Sequence, residues 1–107
     1  MKNDSIYFCS LKELNEKKYI IKFFDTIKNE LIIFKDKFQK IKIFSSICPH
    51  FGGEIFFNVN QRKLQCKWHG WKFCAETGKC ENFPIRTKLD QYEFKIENNN
   101  IYVLIND

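Results

Sequence analysis

The sequence predicts a small all-β domain with antiparallel pairing. Three observations carry this: β-branched and aromatic residues recur in runs of strand length, turn residues separate the runs, and only one short stretch carries helix signals. The chain has 107 residues, enough for one core and too few for two. Twelve Phe and 17% aromatic residues give that core large buried areas per side chain.

The elements follow in order. Ser10-Leu11-Lys12-Glu13 is a capping box, with Ser10 able to cap and Glu13 to reciprocate, and it opens a helix of about two turns up to Lys17 or Lys18. Tyr19 to Phe24 and Glu30 to Phe34 read as strands around the turn Asp25-Thr26-Ile27-Lys28-Asn29. Lys35-Asp36-Lys37-Phe38-Gln39 turns the chain into a third strand, Lys40 to Ser45, in which Ile41 and Ile43 alternate with Lys42 and Phe44. Beyond a turn at Gly78 and a linking segment through Phe83-Pro84-Ile85, Tyr92 to Glu97 and Ile101 to Ile105 form a hairpin around Asn98-Asn99-Asn100. The expected organisation is a single domain over 1–107. Residues 1–45 and 85–107 build a β base, and 46–84 form a unit set into it. No internal repeat or low-complexity linker is evident.

Charge and hydropathy narrow the function. The net charge of +5 and pI near 9.0 are compatible with nucleic acid, but the Lys residues are spread along strands as a solvated face rather than gathered in a patch. Docking to an acidic patch on a protein partner suits that distribution; nucleic-acid binding is not expected. No run of eighteen apolar residues is present, so no membrane anchor is expected. Met1-Lys2-Asn3-Asp4-Ser5-Ile6 lacks the apolar run of a signal peptide, which points to a cytoplasmic protein with reduced thiols.

The most informative residues are Cys48-Pro49-His50 and, after fifteen residues, Cys66-Lys67-Trp68-His69. Two thiolates and two imidazoles, one of each on two short segments, make a four-ligand metal set. A zinc finger groups both Cys before both His, so this order fits it poorly. It fits a [2Fe–2S] cluster in which two Cys hold one iron and two His the other. The chain has only two His, and both lie in this motif. A structural zinc module with the same ligands is the competing reading.

Cys48-Pro49-His50-Phe51-Gly52-Gly53-Glu54 and Cys66-Lys67-Trp68-His69-Gly70-Trp71-Lys72-Phe73 resemble the two cluster-binding loops of Rieske iron–sulfur proteins. Thr77-Gly78-Lys79 followed by Phe83-Pro84 is similar to the stretch after the second loop in Rieske ferredoxins, where the proline belongs to a third loop that shields the cluster. The resemblance implies a Rieske-like antiparallel β-sandwich with a two-loop cluster-binding subdomain, one Rieske-type [2Fe–2S] cluster, and Cys48, His50, Cys66 and His69 as its ligands. It also implies that both His lie at the molecular tip, where electrons enter and leave. Two thiolates against the +2 of an oxidised cluster core leave the formal charge at +5.

The resemblance also separates subclasses. Membrane-anchored Rieske subunits carry an extra Cys in each loop, joined as a disulfide; here Gly53 and Trp68 stand in those places, as in the soluble, oxygenase-associated type. High-potential members place a Ser and a Tyr where this chain has Trp71 and Phe73, which implies a potential towards the lower end of the range. Gly52, Gly53 and Gly70 are expected to let the backbone approach the cluster. Cys9, Cys74 and Cys80 are expected to pack as thiols, with a Cys74–Cys80 bridge across the Gly78 turn as an open alternative.

The function implied is a one-electron carrier between a flavin-dependent ferredoxin reductase and a terminal oxygenase or similar acceptor. The alternative is a small redox subunit of a multi-component enzyme, an oxygenase or a nitrite reductase. A catalytic site of its own is not expected, because the mononuclear iron of such oxygenases takes two further His and a carboxylate, and no His remains.

Overall fold

Alternation of side chains along extended backbone lets a strand bury one face or both, and in this protein the difference decides the architecture. The computed structural model describes residues 3–48, 52–68, 70–82 and 87–106. Within them the chain forms β1 (Asn3–Ser10), α1 (Leu11–Lys17), β2 (Tyr19–Phe24), β3 (Asn29–Lys35), β4 (Ile41–Ser45), β5 (Ile55–Asn58), β6 (Lys63–Cys66), β7 (Lys72–Phe73), β8 (Gln91–Tyr92), β9 (Phe94–Glu97) and β10 (Asn100–Asn106). They pair antiparallel in three sheets, ordered β1-β10-β9, β2-β3-β4-β8 and β5-β6-β7.

The β2-β3-β4-β8 sheet lies between the other two. Ile32, Phe34 and Phe44 turn to a core shared with Ile55, Phe57, Leu64 and Phe73 of the β5-β6-β7 sheet. Leu31, Ile33 and Ile43 turn to a second core, completed by Phe8, Leu14, Ile101 and Val103. Both faces of β3 and β4 are therefore covered. That is why Phe44, which alternates with Ile43, is as buried as Ile43 itself.

The expected helix is present: Ser10 Oγ accepts from the Glu13 N–H at 3.1 Å and Glu13 accepts from the Ser10 N–H at 3.2 Å. The Asn-rich hairpin is tighter than expected. Asn98 and Asn99 alone make the turn, both left-handed at φ +52° and +65°, and Asn100 already pairs with Glu97. Two differences have physical causes. Strand β1 carried no clear alternation because the register with β10 slips between Tyr7 and Cys9, so that Phe8 and Cys9 are buried in succession. The run Tyr92 to Glu97 is not one strand. Gln91 and Tyr92 pair with β4, whereas Phe94 to Glu97 pair with β10, and the chain changes sheets at Glu93, whose carbonyl accepts from the Leu104 N–H at 2.9 Å.

None of the five cysteines is in a disulfide. Phe73 pairs directly with Cys80, which puts Cys80 on the core side with the Phe73 ring. Alternation sends Cys74 the other way, where its Sγ contacts Glu76 Oε1 at 3.6 Å. The open alternative of a Cys74–Cys80 bridge is thereby answered.

Cys9 is enclosed in the second core, and burial, with Glu13 adding, pushes its thiol up to about 11. A raised thiol favours the folded state fully below its unfolded value of 9.0, and the gain is lost as pH rises to about 11. Urea unfolding between pH 8 and 11 should therefore cost wild type on the order of 2 kcal/mol more than Cys9→Ala, given about 1.4 kcal/mol per pH unit. Parallel curves for the two proteins would show that this thiol does not titrate with folding.

Candidate metal centre

Both motif cysteines sit on short antiparallel hairpins that project from strands. The first hairpin is fastened to the middle sheet through Ser46, fully buried, whose N–H donates to the Glu30 carbonyl at 2.8 Å and whose hydroxyl donates to Glu30 Oε1 at 2.9 Å. The Ser46 carbonyl then accepts from the Ile55 N–H at 2.7 Å, closing the hairpin behind Cys48. Cys66 is the last residue of β6, opposite Ile55 of β5, so one pairing sets the second loop beside the first.

The two loops share one backbone pattern. The Cys48 N–H donates to the Gly53 carbonyl at 2.7 Å and the Gly52 N–H donates back to the Cys48 carbonyl at 2.9 Å. In the second loop the Cys66 N–H donates to Trp71 at 2.8 Å, and Gly70 to Cys66 at 2.9 Å. A third copy follows, with Cys74 donating to Lys79 at 2.8 Å and Gly78 to Cys74 at 2.7 Å. The glycine in each turn is left-handed, at φ +70°, +68° and +79°, a conformation that Gly adopts without penalty. No internal repeat was expected, yet Cys-x-x-x-Gly recurs three times. What repeats is the hydrogen bonding; among the intervening residues only the first two turns are alike, each with a His and an aromatic residue.

Cys48 and Cys66 belong to one core and are 1% and 0% exposed. Gly53 ties them together. It accepts the Cys48 N–H, and a Cβ placed on it would stand 2.9 Å from Cys66 Sγ and 3.1 Å from Trp68 Cγ. The bare backbone at position 53 is thus a cradle for this sulfur and the indole, and any side chain there would displace one of them. Trp68 lies across the loops against Gly53 and is 66% exposed on its other side. Lys67 reinforces the junction, its N–H donating to the Glu54 carbonyl at 3.0 Å and its Nζ pairing with the Glu54 carboxylate, which holds the ammonium above its ordinary range.

The structure brings together the cysteine half of the expected ligand set. His50 and His69 lie outside the described residues, as do Phe83 and Pro84. Trp71 is half-buried against the cysteine core, and Phe73 is fully enclosed in it. Gly53 and Trp68, the two places that the resemblance pairs across the loops, are in contact. An aromatic ring over a glycine occupies the junction.

The profile of the Rieske [2Fe-2S] domain matches residues 4–93. The chain belongs to the Rieske [2Fe–2S] domain family. It is 39% identical over 57 residues to human apoptosis-inducing factor 3, a match that covers 52% of this chain and 9% of that protein. The chain therefore spans only about a tenth of that relative's length. Its fold is that of the cyanobacterial plasma membrane Rieske protein PetC3 from Synechocystis PCC 6803, with a TM-score of 0.79 at 21% identity, covering 92% of this chain and 97% of that one. The ferredoxin of carbazole 1,9a-dioxygenase from Nocardioides aromaticivorans IC177 superposes with a TM-score of 0.73 at 18% identity, over 92% and 95% of the two chains. The Rieske fold expected from the sequence is thus the fold observed, its cofactor is one [2Fe–2S] cluster, and the role of the domain is electron transfer. No helix among the described residues is long and apolar enough to cross a membrane.

The Gly53 cradle yields a direct test. Gly53→Ala should lower stability by about 1–3 kcal/mol, the usual cost of overpacking, and Trp68→Ala in the same chain should restore part of the loss. Additive effects of the two substitutions in chemical denaturation would show that the ring and the glycine are not coupled.

Proposed function

We propose that Cys48 and Cys66 hold one iron and His50 and His69 the other, in a one-electron carrier that serves a larger oxidising system. The observation that carries this reading is the pair of buried cysteines at equivalent positions of two equivalent turns, joined through the bare backbone of Gly53. Burial excludes water from the thiolates, and the absent Cβ lets the Gly53 backbone close against one of them. Bound there, a [2Fe–2S] cluster supplies reversible one-electron chemistry. The residues around it position and insulate: Trp68 covers Gly53, Lys67 and Glu54 clasp the loops, and Trp71 and Phe73 close the core.

In this reading the domain has two parts, which share a core through Ile32, Phe34 and Phe44. Residues 46–84 carry the cysteine loops and the β5-β6-β7 sheet, set on a base formed by 1–45 and 85–107. These 107 residues hold only two His, both used as ligands in this reading, so the domain transfers electrons without a catalytic site of its own. A flavin-dependent reductase as donor, a terminal oxygenase as acceptor and a cytoplasmic location follow from the family's soluble members. The likeness in fold to a dioxygenase ferredoxin supports the oxygenase side. Trp71 and Phe73 offer no hydroxyl to a cluster sulfur, which places the potential towards the lower end of a Rieske range of roughly −150 to +300 mV.

Iron-replete protein should be brown and, after dithionite, show the low average g of a reduced His-ligated [2Fe–2S] centre by electron paramagnetic resonance. Cys48→Ser and His69→Cys should each alter or abolish that spectrum. Unchanged spectra in both would overturn the ligand assignment. A colourless protein with one equivalent of zinc and no reducible signal after iron–sulfur reconstitution would overturn the electron-carrier reading. Voltammetry should give a potential in the lower half of the Rieske range, and Phe73→Tyr should raise it; no rise would remove the missing hydroxyl as the cause.

A further inference from the structure

Away from the cysteine loops, three turns distant in sequence enclose a hollow of about 310 Å³. Leu14 of α1, Phe57 of β5 and Val59 give it apolar walls, while Lys18, Lys35 and Arg62 bring three cations to it. Among the described residues no carboxylate lines the hollow. The ion pairs recorded among the described residues join Lys28, Lys63, Lys67 and Lys95 to acids and involve none of these three cations. The Lys35 ammonium donates to Asn15 Oδ1 at 2.7 Å, a neutral partner, and Lys18 and Arg62 stand exposed at the rim.

The backbone around the hollow points the same way. Lys18, Gln39 and Arg62 are left-handed at φ +72°, +64° and +54°, a conformation that costs energy in residues with a Cβ. All three line this one cavity, from the helix end, the β3–β4 turn and the β5–β6 turn. Cations gathered on low-dielectric walls raise the local concentration of anions, and the apolar walls select among anions for one that carries hydrocarbon. Arg62 supplies the planar fork that matches a carboxylate, and Lys18 and Lys35 add point charges.

We propose that this hollow binds a small organic carboxylate with a compact apolar body, the body against Leu14, Phe57 and Val59 and the carboxylate held by Arg62 with Lys18 and Lys35. The site is independent of the cluster assignment. Its occupant would join α1 and the β3–β4 turn of the base to the β5–β6 hairpin of the cysteine lobe, so binding should raise the unfolding temperature.

Benzoate, benzyl alcohol and inorganic phosphate, titrated separately into the intact cluster-loaded protein by calorimetry and thermal unfolding, test this. Benzoate should bind saturably at one site and raise the unfolding temperature, with benzyl alcohol and phosphate each at least about tenfold weaker, the scale of one charge-assisted hydrogen bond. Arg62→Gln should weaken benzoate by about the same factor, and Lys18→Gln and Lys35→Gln should each weaken it in a chain where Arg62 is intact. Equal binding of benzyl alcohol would reduce the hollow to an apolar dent, and equal binding of phosphate would reduce it to a cation cluster. Failure of benzoate to bind, even if an acidic peptide does, or benzoate affinity unchanged in all three variants, would overturn the proposal.

Discussion

Everything in this molecule hangs on a middle sheet that is covered on both faces. Along β3, Ile32 and Phe34 serve the core that holds the two motif cysteines, and Leu31 and Ile33 serve the core of the base. A slip of one residue would exchange the two sets, so register is fixed from both sides at once. The first cysteine hairpin inherits this precision. Ser46 grips Glu30 of β3 through backbone and side chain together, and Cys48 follows two residues later.

From that anchor the second loop is placed by close approach rather than by a covalent tie. The contact between Gly53, Cys66 Sγ and the Trp68 ring works through packing. The Lys67–Glu54 pair is half exposed and adds little on its own, since water and salt screen a surface pair. Packing of this kind is short-ranged and unforgiving of added volume. Position 53 therefore cannot carry a side chain without moving either a sulfur or an indole.

Much of this was legible in the sequence because ligand chemistry and spacing are local properties. Cys48, His50, Cys66 and His69 stand out by residue type and order alone, and the capping box at Ser10 and Glu13 is written in four consecutive residues. Less was legible where two sheets compete for one segment. The bulge at Phe8 hid β1, and the sheet change at Glu93 split a run that reads as one strand. The threefold Cys-x-x-x-Gly turn is hard to read from sequence because two residues at one spacing are a short signal, and the backbone hydrogen bonds that make it a repeat appear only on folding. The dispersed Lys residues read as a solvated face. Folding gathers Lys18, Lys35 and Arg62 around one hollow, which no linear pattern could signal.

The sheet change at Glu93 reaches beyond topology. One short segment belongs to the middle sheet at Tyr92 and to the outer sheet at Phe94, so neither sheet can peel away without pulling on the other. The two cores, already sharing β3 and β4, are thereby laced together. Opening either sheet alone would break hydrogen bonds at its neighbour's edge. A redox domain gains from such lacing, because the strands beneath the cysteine loops hold one another in place.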